Sequence, residues 1–217
     1  MKKTNKIWTI ASALALTVAA TSAQAAFVFT DSAAPIGSAS IAVPSINNFR
    51  SQLAANGVSS FYLGRALTVT GAQAGDVIEI DFFASEAGYR NQLYWGSTLV
   101  VDNQGNQSWS ERDRGTVAAA NGVQNFSFCS VGIAPCVSNL TNDTSRLGSS
   151  QSIGMWLTNG GNTAWLLWDD SGANSDDNHD DLVVRLTYRS VPEPGTLALL
   201  GLGLVGIALF RRRKLVA

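Results

Sequence analysis

A short acidic segment near the end of the chain holds the residues whose types and spacing suggest chemistry. Six aspartates fall within 13 residues, from Asp169 to Asp181. Carboxylates this close repel one another strongly unless a cation lies among them. Within the segment Asp176, Asn178 and Asp180 occupy alternate positions, the spacing by which a tight loop turns successive oxygens toward one Ca²⁺. The segment therefore predicts a calcium loop.

The ligands expected from this loop are all oxygens. The segment supplies carboxylates, an amide and main-chain carbonyls, which is the donor chemistry that Ca²⁺ prefers. Asp181 then leads into an alternating strand that would join the loop to a sheet. The loop is not an EF-hand, because it lacks the glycine at position ~6 and the glutamate at position ~12 of that motif.

The same segment resembles the ending of several uncharacterised β-domains in bacterial surface proteins. That ending reads Asp-x-(Asp/Asn)-x-(Asn/Asp)-Asp-hydrophobic, and here it runs from Asp176 to Leu182. In those domains a glutamate from an earlier loop accompanies the ending, and the resemblance implies that Glu86 is this residue. The expected calcium ligands are therefore Asp176, Asn178, Asp180, Asp181 and Glu86.

Two other interpretations of the acidic segment remain open. It fits a solvated hairpin loop that keeps a protein soluble, with His179, the only histidine of the chain, on the surface. A catalytic role would need Asp81 and Glu86 as paired carboxylates in glycoside hydrolysis. A Ser-His-Asp triad is compatible with the spacing, but no G-x-S-x-G elbow occurs. We expect no catalytic residue and no enzyme activity.

The elements that would position these residues are mostly strands. About eight short segments with alternating or apolar sequence, separated by turns, predict a single antiparallel β-sandwich, jelly-roll-like, with one flanking helix. In the strand that follows Asp76 we expect Ile78, Ile80 and Phe82 to face the core. The sequence Asn159-Gly-Gly-Asn162 predicts a hairpin turn.

One segment of the exported part has helical periodicity. Ile46, Phe49 and Leu53 recur at helical spacing, Ser45 stands where a helix N-cap would, and Gly57 follows the last periodic residue. The pattern predicts a helix from residue 45 to residue 56. Because its apolar stripe is narrow, we expect this helix to pack on the outside of the sheets.

Two further features concern cysteine and tryptophan. Cys129 and Cys136 lie seven positions apart, which favours a disulfide that closes a small loop in an exported protein, over a metal site that would lack ligands. Most tryptophans lie on predicted strands and are expected in the core. Trp109 has polar neighbours and is the candidate for stacking on a sugar ring.

The N-terminus has the pattern of a secretory signal peptide. Three lysines precede an apolar stretch, and Ala23-Gln-Ala25 is a small-residue cleavage site. We expect signal peptidase to cut after Ala25, which gives a signal peptide of residues 1–25.

The C-terminus combines three features in a fixed order. The triplet Pro192-Glu193-Pro194 is kept extended by its prolines. An uncharged apolar run of 14 residues, 197–210, follows and suits a short membrane helix. Four cations then complete the tail and, by the positive-inside rule, remain in the cytoplasm. These cations are Arg211, Arg212, Arg213 and Lys214.

This order resembles the PEP-CTERM sorting signal of Gram-negative bacteria, which the membrane protease-transpeptidase exosortase reads. The resemblance implies export, a transient stay in the inner membrane, cleavage near Pro192–Pro194, and delivery to the cell surface or extracellular matrix, in association with exopolysaccharide or biofilm. It divides the chain into a signal peptide, a β-sandwich domain of residues 26–190 and a sorting signal of residues 191–217. A secreted carbohydrate-binding module is the alternative, and a polysaccharide hydrolase a lesser one.

Charge limits the partners of the exported part. The chain has 15 Lys and Arg against 16 Asp and Glu. The signal peptide holds three of the lysines, and the tail holds four cations and Glu193, so residues 26–191 carry 8 basic and 15 acidic residues. This excess of acid argues against nucleic acid or anionic lipid as a partner and makes cations plausible ligands.

Overall fold

The computed structural model describes residues 25–31, 40–104, 112–142, 151–170, 178–191 and 201–205. These residues form mainly strands, with one short α-helix, a 3-10 turn at Asn159–Gly161 and a helical stretch at 201–205. The elements are β1 (Ala26–Asp31), β2 (Ile41–Ala42), α1 (Arg50–Ala55), β3 (Ser60–Phe61), β4 (Arg65–Thr70), β5 (Val77–Ala84), β6 (Asn91–Trp95), β7 (Thr98–Asp102), β8 (Arg112–Ala118), β9 (Gly122–Val123), β10 (Phe126–Ser130), β11 (Ile133–Ser138), β12 (Ser152–Thr158), β13 (Thr163–Asp169) and β14 (Leu182–Arg189).

The strands of the three larger sheets form two facing layers, as the alternating sequence predicts, and β2 and β3 form a separate two-stranded sheet. One layer is a five-stranded sheet in the order β12-β13-β14-β5-β8. The other combines a four-stranded sheet, β11-β10-β6-β7, with a three-stranded sheet, β1-β4-β9. Each of these strand pairs is antiparallel. The prediction of an antiparallel β-sandwich is confirmed.

The main core lies between the two layers. The predicted inner face of β5 is correct, because Ile78, Ile80 and Phe82 are all buried there. They pack in one cluster with residues of the opposite layer such as Leu93 and Phe128. Trp168 of β13 also lies in this cluster and is fully buried, as expected of a tryptophan on a strand.

A second core cluster covers part of the outer face of the five-stranded sheet. Leu53 of α1 is fully buried and packs in a cluster with Trp165, Leu167 and Val183, which lie on β13 and β14. The flanking position of the helix is thus as predicted. The sheet is therefore buried on both faces along this part of its length.

The start of the helix differs from the prediction. The helix begins at Arg50 rather than at Ser45, and Ile46 is 56 % exposed. The reason is Asn47, whose side-chain oxygen accepts a hydrogen bond from the Phe49 amide at 2.9 Å. Such a local side-chain bond competes with helical pairing of the main chain. Ser45 therefore lies in a turn and does not cap the helix.

The predicted hairpin turn and disulfide are both present. Residues 159–162 connect β12 to β13, which pair antiparallel along their whole length. Cys129 and Cys136 form a disulfide that joins β10 to its neighbour β11.

The features predicted at the chain ends lie largely outside the described residues. Ala25 is described, is 8 % exposed and stands directly before β1, whereas Ala23 lies outside. The triplet at 192–194 and the cations at 211–214 also lie outside. Trp109, in the middle of the chain, is likewise outside the described residues. Of the apolar run, residues 201–205 are described, and they are helical and exposed. Within the described part of the chain, no helix has the length and apolar character that a membrane crossing requires.

Candidate functional site

The acidic segment is buried where the structure describes it. Asp169 and Asp180 have no exposed surface, Asp170 is 3 % exposed and Asp181 is 6 % exposed. Charged side chains are almost never fully buried without a partner. The described part of the segment is therefore not the solvated loop that one sequence interpretation proposed. Asp176 lies outside the described residues.

Main-chain amides and side-chain amides hold these carboxylates in place. Asp180 Oδ2 accepts a hydrogen bond from the Asn48 amide at 2.6 Å. Asp181 Oδ2 accepts one from the Asp170 amide at 2.8 Å, and Asp170 Oδ2 accepts one from Asn91 Nδ2 at 2.7 Å. Donors from two other parts of the chain, Asn48 and Asn91, therefore converge on the acidic segment, and the Asp170 amide adds a bond within it.

The loop that carries Glu86, the glutamate that the resemblance implied as a calcium ligand, contacts the acidic segment through its main chain. The Glu86 amide donates to the Asp180 carbonyl at 2.9 Å, and Ser85 Oγ donates to the Asp181 carbonyl at 2.6 Å. Asn47 Nδ2 binds the Asn178 carbonyl at 2.7 Å. Glu86 thus touches the segment through its main chain, and its side chain is half-buried.

The described residues do not by themselves make a metal cage. Among them, no group of three or more His, Cys, Asp or Glu side chains is placed to hold a metal ion. The predicted ligands Asn178, Asp180 and Asp181 are all buried and near one another in sequence, and Asp176 would have to complete the set. The donor types fit calcium, while the geometry of the complete set extends beyond the described residues.

The electrostatics of the segment favour a neutral or neutralised carboxylate. Burial raises the pKa of Asp181 to about 9, and the neighbouring charges of Asp170, Asp169 and Asp180 add to this increase. The hydrogen bond from the Asp170 amide acts in the opposite direction. Burial of Asp181 beside three other carboxylates therefore favours a proton or a cation at this carboxyl.

His179 is buried, contrary to the expectation of a surface loop residue. It is 1 % exposed, its ring centroid lies 4.5 Å from that of Phe61, and its main chain is left-handed with a φ of 56°. Its Nε2 lies 2.9 Å from Ser152 Oγ, and its Nδ1 lies 3.6 Å from Asp169 Oδ2. The order of the three residues is that of a Ser-His-Asp triad.

The residues of this triad-like arrangement are buried. Ser152 is 3 % exposed and Asp169 has no exposed surface. A nucleophile must meet its substrate at hydrogen-bond range, and this hydroxyl lies inside the packed protein. Sequence reasoning missed Ser152 because it lies 27 positions from His179, in an unremarkable strand.

The two carboxylates considered for hydrolysis lie in different surroundings. Asp81 lies on β5 and accepts a hydrogen bond from Arg185 Nη2 at 3.0 Å, on the outer face of the sheet. Glu86 lies in the loop after β5, where its main chain contacts the acidic segment.

The comparison with known families concerns the other candidate feature, the C-terminus. Residues 190–214 match the family model described as the PEP-CTERM protein-sorting motif. The chain carries a PEP-CTERM sorting signal. The match includes the triplet, the apolar run and the four cations, and it begins one residue after the end of β14. It marks an exported surface protein that passes through a membrane-anchored intermediate and is sorted by exosortase. No curated protein matches the chain.

Proposed function

We propose that this chain delivers a non-enzymatic β-sandwich domain to the cell surface or extracellular matrix of a Gram-negative bacterium, in association with extracellular polysaccharide. The observation that carries the proposal is the position of the PEP-CTERM motif, which starts at residue 190 directly behind the last strand. Signal peptidase would remove residues 1–25, and exosortase would cut near residues 192–194. The mature protein would thus consist of the β-sandwich domain, which would carry any binding function.

The folded domain extends to the edge of the sorting signal. Val191 donates its amide to Asp76 Oδ1 at 2.9 Å, so the chain is tied to the domain immediately before Pro192. From Val191 to Leu197, where the apolar run begins, an extended chain spans at most about 22 Å. In the anchored intermediate the domain would therefore lie close to the outer surface of the inner membrane.

Mass spectrometry of the protein from its native host tests the sorting. In the wild type we expect a surface product that begins at Ala26 and lacks residues 211–214. Deletion of exosortase, or a chain with Pro192→Ala and Pro194→Ala, should leave the tail attached. Thr98→Val, a change on an exposed strand of the domain, should be processed normally. A surface product of the wild type that retains its basic tail would refute the proposal.

Burial of the triad-like residues supports a non-enzymatic role. Ser152, His179 and Asp169 are the described residues whose arrangement most resembles a catalytic one, and they are enclosed by the fold. We expect no release of reducing ends when the protein is incubated with the polysaccharide of its host. Product release that Ser152→Ala or a paired Asp81→Asn and Glu86→Gln variant abolishes would contradict this expectation.

We also propose that Ca²⁺ stabilises the domain through the acidic segment. The support is the burial of four aspartates close together, an environment that favours a bound cation or a shared proton. Asn178, Asp180, Asp181, Glu86 and Asp176 would supply oxygens. At ~100 times its Kd, calcium should raise the free energy of unfolding by about 2.7 kcal/mol, several degrees in Tm for a domain of this size.

Melting curves with calcium, with magnesium and with chelator test this second proposal. We expect calcium alone to raise Tm, and Asp180→Asn to reduce the increase. Equal Tm values in calcium and in chelator would refute the calcium proposal and leave the sorting unaffected.

A further inference from the structure

A polar groove lies on the outer face of the five-stranded sheet, away from the acidic segment. Its volume is about 350 Å³, within the range of ligand-binding pockets, and its walls come from β5, β13, β14 and the turn between β12 and β13. Asn56, the residue that follows α1, borders it. The helix therefore covers one part of this sheet face and leaves the part beside it as a groove.

Strand register determines the polar floor of the groove. Glu79 and Asp81 alternate with the buried core residues of β5, so both point outward. On the neighbouring β14, Thr187 stands opposite Glu79 and Arg185 stands opposite Asp81. Side chains directly opposite on one face of an antiparallel pair lie within contact range. The groove floor is thus a cross-strand array of hydroxyl, carboxylate and guanidinium groups.

The described charged side chains of the groove form two ion pairs. Asp81 pairs with Arg185 at 3.0 Å, and Glu79 pairs with Arg189 at 2.9 Å. Among the side chains that the structure describes here, two acids and two bases balance, on a domain that otherwise has an excess of acidic residues. A balanced array offers no selective attraction to a polyanion or to a cation.

The outer ion pair remains accessible to a ligand. The Glu79 side chain is 36 % exposed and that of Arg189 is 58 % exposed. A carboxylate accepts about four hydrogen bonds and a guanidinium donates about five, so one ion-pair contact uses a small part of their capacity. Asn162 and Thr187 add amide and hydroxyl groups to the same lining.

We infer that this groove binds an uncharged, hydroxyl-rich ligand, a segment of neutral polysaccharide. Sugar hydroxyls both donate and accept, which matches a lining of carboxylate, guanidinium, amide and hydroxyl groups. Trp165 borders the groove but is 1 % exposed, so recognition would depend on hydrogen bonds rather than on ring stacking. The inference rests on the proposed association with extracellular polysaccharide, and it assigns binding to this groove instead of to Trp109.

Affinity electrophoresis of the full-length chain in detergent tests the inference. Native gels would be cast with dextran, with galactomannan, with mixed-linkage β-glucan or with the polyanion alginate. We expect at least one neutral polymer to retard the protein more than alginate does. Glu79→Gln and Thr187→Val should each weaken binding by up to about tenfold, because the first removes the charge of an acceptor and the second removes a hydroxyl partner.

Matched variants keep the test interpretable. Thr98→Val, on an exposed position of β7 in the other layer, should leave retardation unchanged, and so should Trp109→Ala. Melting curves of Glu79→Gln and Thr187→Val should match the wild type, which separates loss of binding from loss of folding.

The experiments distinguish a wrong assignment of the binding groove from a wrong proposed function. Equal mobility in all four gels, stronger retardation by alginate, or retardation that persists in both groove variants would overturn the groove assignment. If the protein still fractionates with the polysaccharide of its host in those cases, the proposed function stands and another surface makes the contact. If the protein is absent from the cell surface, the proposed function itself fails, whatever the gels show.

Discussion

At the scale of single residues, the pKa of Asp181 ties the stability of the fold to pH. Its folded pKa is raised to about 9, mainly by burial and then by the charge of Asp170, against about 3.9 in the unfolded chain. The folded state therefore holds a proton that the unfolded state releases. The stabilisation is fully present below about pH 4 and is lost as pH rises through about 9.

We therefore expect the free energy of unfolding in chelator to fall between about pH 5 and pH 9. Asp181→Asn should remove this part of the decline, because the amide has no charge and its oxygen still accepts the Asp170 amide. Urea unfolding at several pH values measures how the free energy of unfolding changes with pH. Asp102→Asn is a suitable control, since Arg90 holds the pKa of Asp102 down at about 2, below the range tested. An unchanged slope in Asp181→Asn would contradict the assignment.

Calcium should also alter the pH dependence of the free energy of unfolding, because a bound cation replaces the proton. In saturating calcium we expect the wild-type decline toward high pH to become smaller, since metal binding favours the ionised carboxylate. Asp181→Asn should respond less to calcium than the wild type does. A slope that calcium leaves unchanged would favour a shared proton as the neutralising group.

At the scale of elements, α1 depends on the sheet that it covers. With six residues it is too short to be stable alone, and its fully buried Leu53 packs in the cluster that contains Trp165 and Val183. We expect Leu53→Ala to lower the free energy of unfolding by about 2–5 kcal/mol. Ser51→Ala, on the exposed side of the same helix, should change it by about 0.5 kcal/mol or less. Chemical denaturation measures both, and similar values would contradict the packing argument.

The end of β14 is held by a buried carboxylate. Asp76 is 2 % exposed and accepts hydrogen bonds from the Tyr188 hydroxyl, from the Gln73 amide at 2.8 Å and from the Val191 amide at 2.9 Å. The Tyr188 hydroxyl is the main cause of a lowered pKa for Asp76. The stabilisation from this group is present above the unfolded pKa and is lost as pH falls through the lower folded pKa.

We expect Asp76→Ala to loosen the connection to the sorting signal, because it removes the acceptor of the hydrogen bonds from the Gln73 amide, the Tyr188 hydroxyl and the Val191 amide. The free energy of unfolding should fall by roughly 1–3 kcal/mol, and exchange of the Val191 amide with solvent should accelerate. Tyr188→Phe removes one of the three bonds and should have a smaller effect. Unchanged exchange at Val191 would show that Asp76 does not hold this segment.

At the scale of the whole molecule, the disulfide and the sorting signal point to the same compartment. Cys129 and Cys136 are bonded in the structure, and such bonds persist in oxidising compartments. We expect protein from the cell surface to resist thiol alkylation, and a variant without residues 1–25 to be alkylated at both cysteines. Mass spectrometry after alkylation measures this difference. Labelling of Cys129 in the exported protein would contradict it.

Sequence alone was informative wherever a feature is local. Alternation predicted the inner face of β5, because side chains of a strand point to opposite faces in turn. The sorting signal could be recognised from the sequence because it is a linear motif: its triplet, apolar run and cations follow one another in the chain and need no folded context. The seven-residue spacing of Cys129 and Cys136 favoured the bond that the structure contains.

Tertiary structure decided the features that join distant parts of the chain. Asn91 and Asp170 are 79 positions apart and Ser152 and His179 are 27 positions apart, so no spacing rule connects them. Asn47 shortens the predicted helix through its bond from the Phe49 amide, and its side chain also binds the Asn178 carbonyl 131 positions away. The burial of that segment and the groove beside α1 have the same origin: both depend on which surfaces the folded layers cover, and a linear pattern does not contain that information.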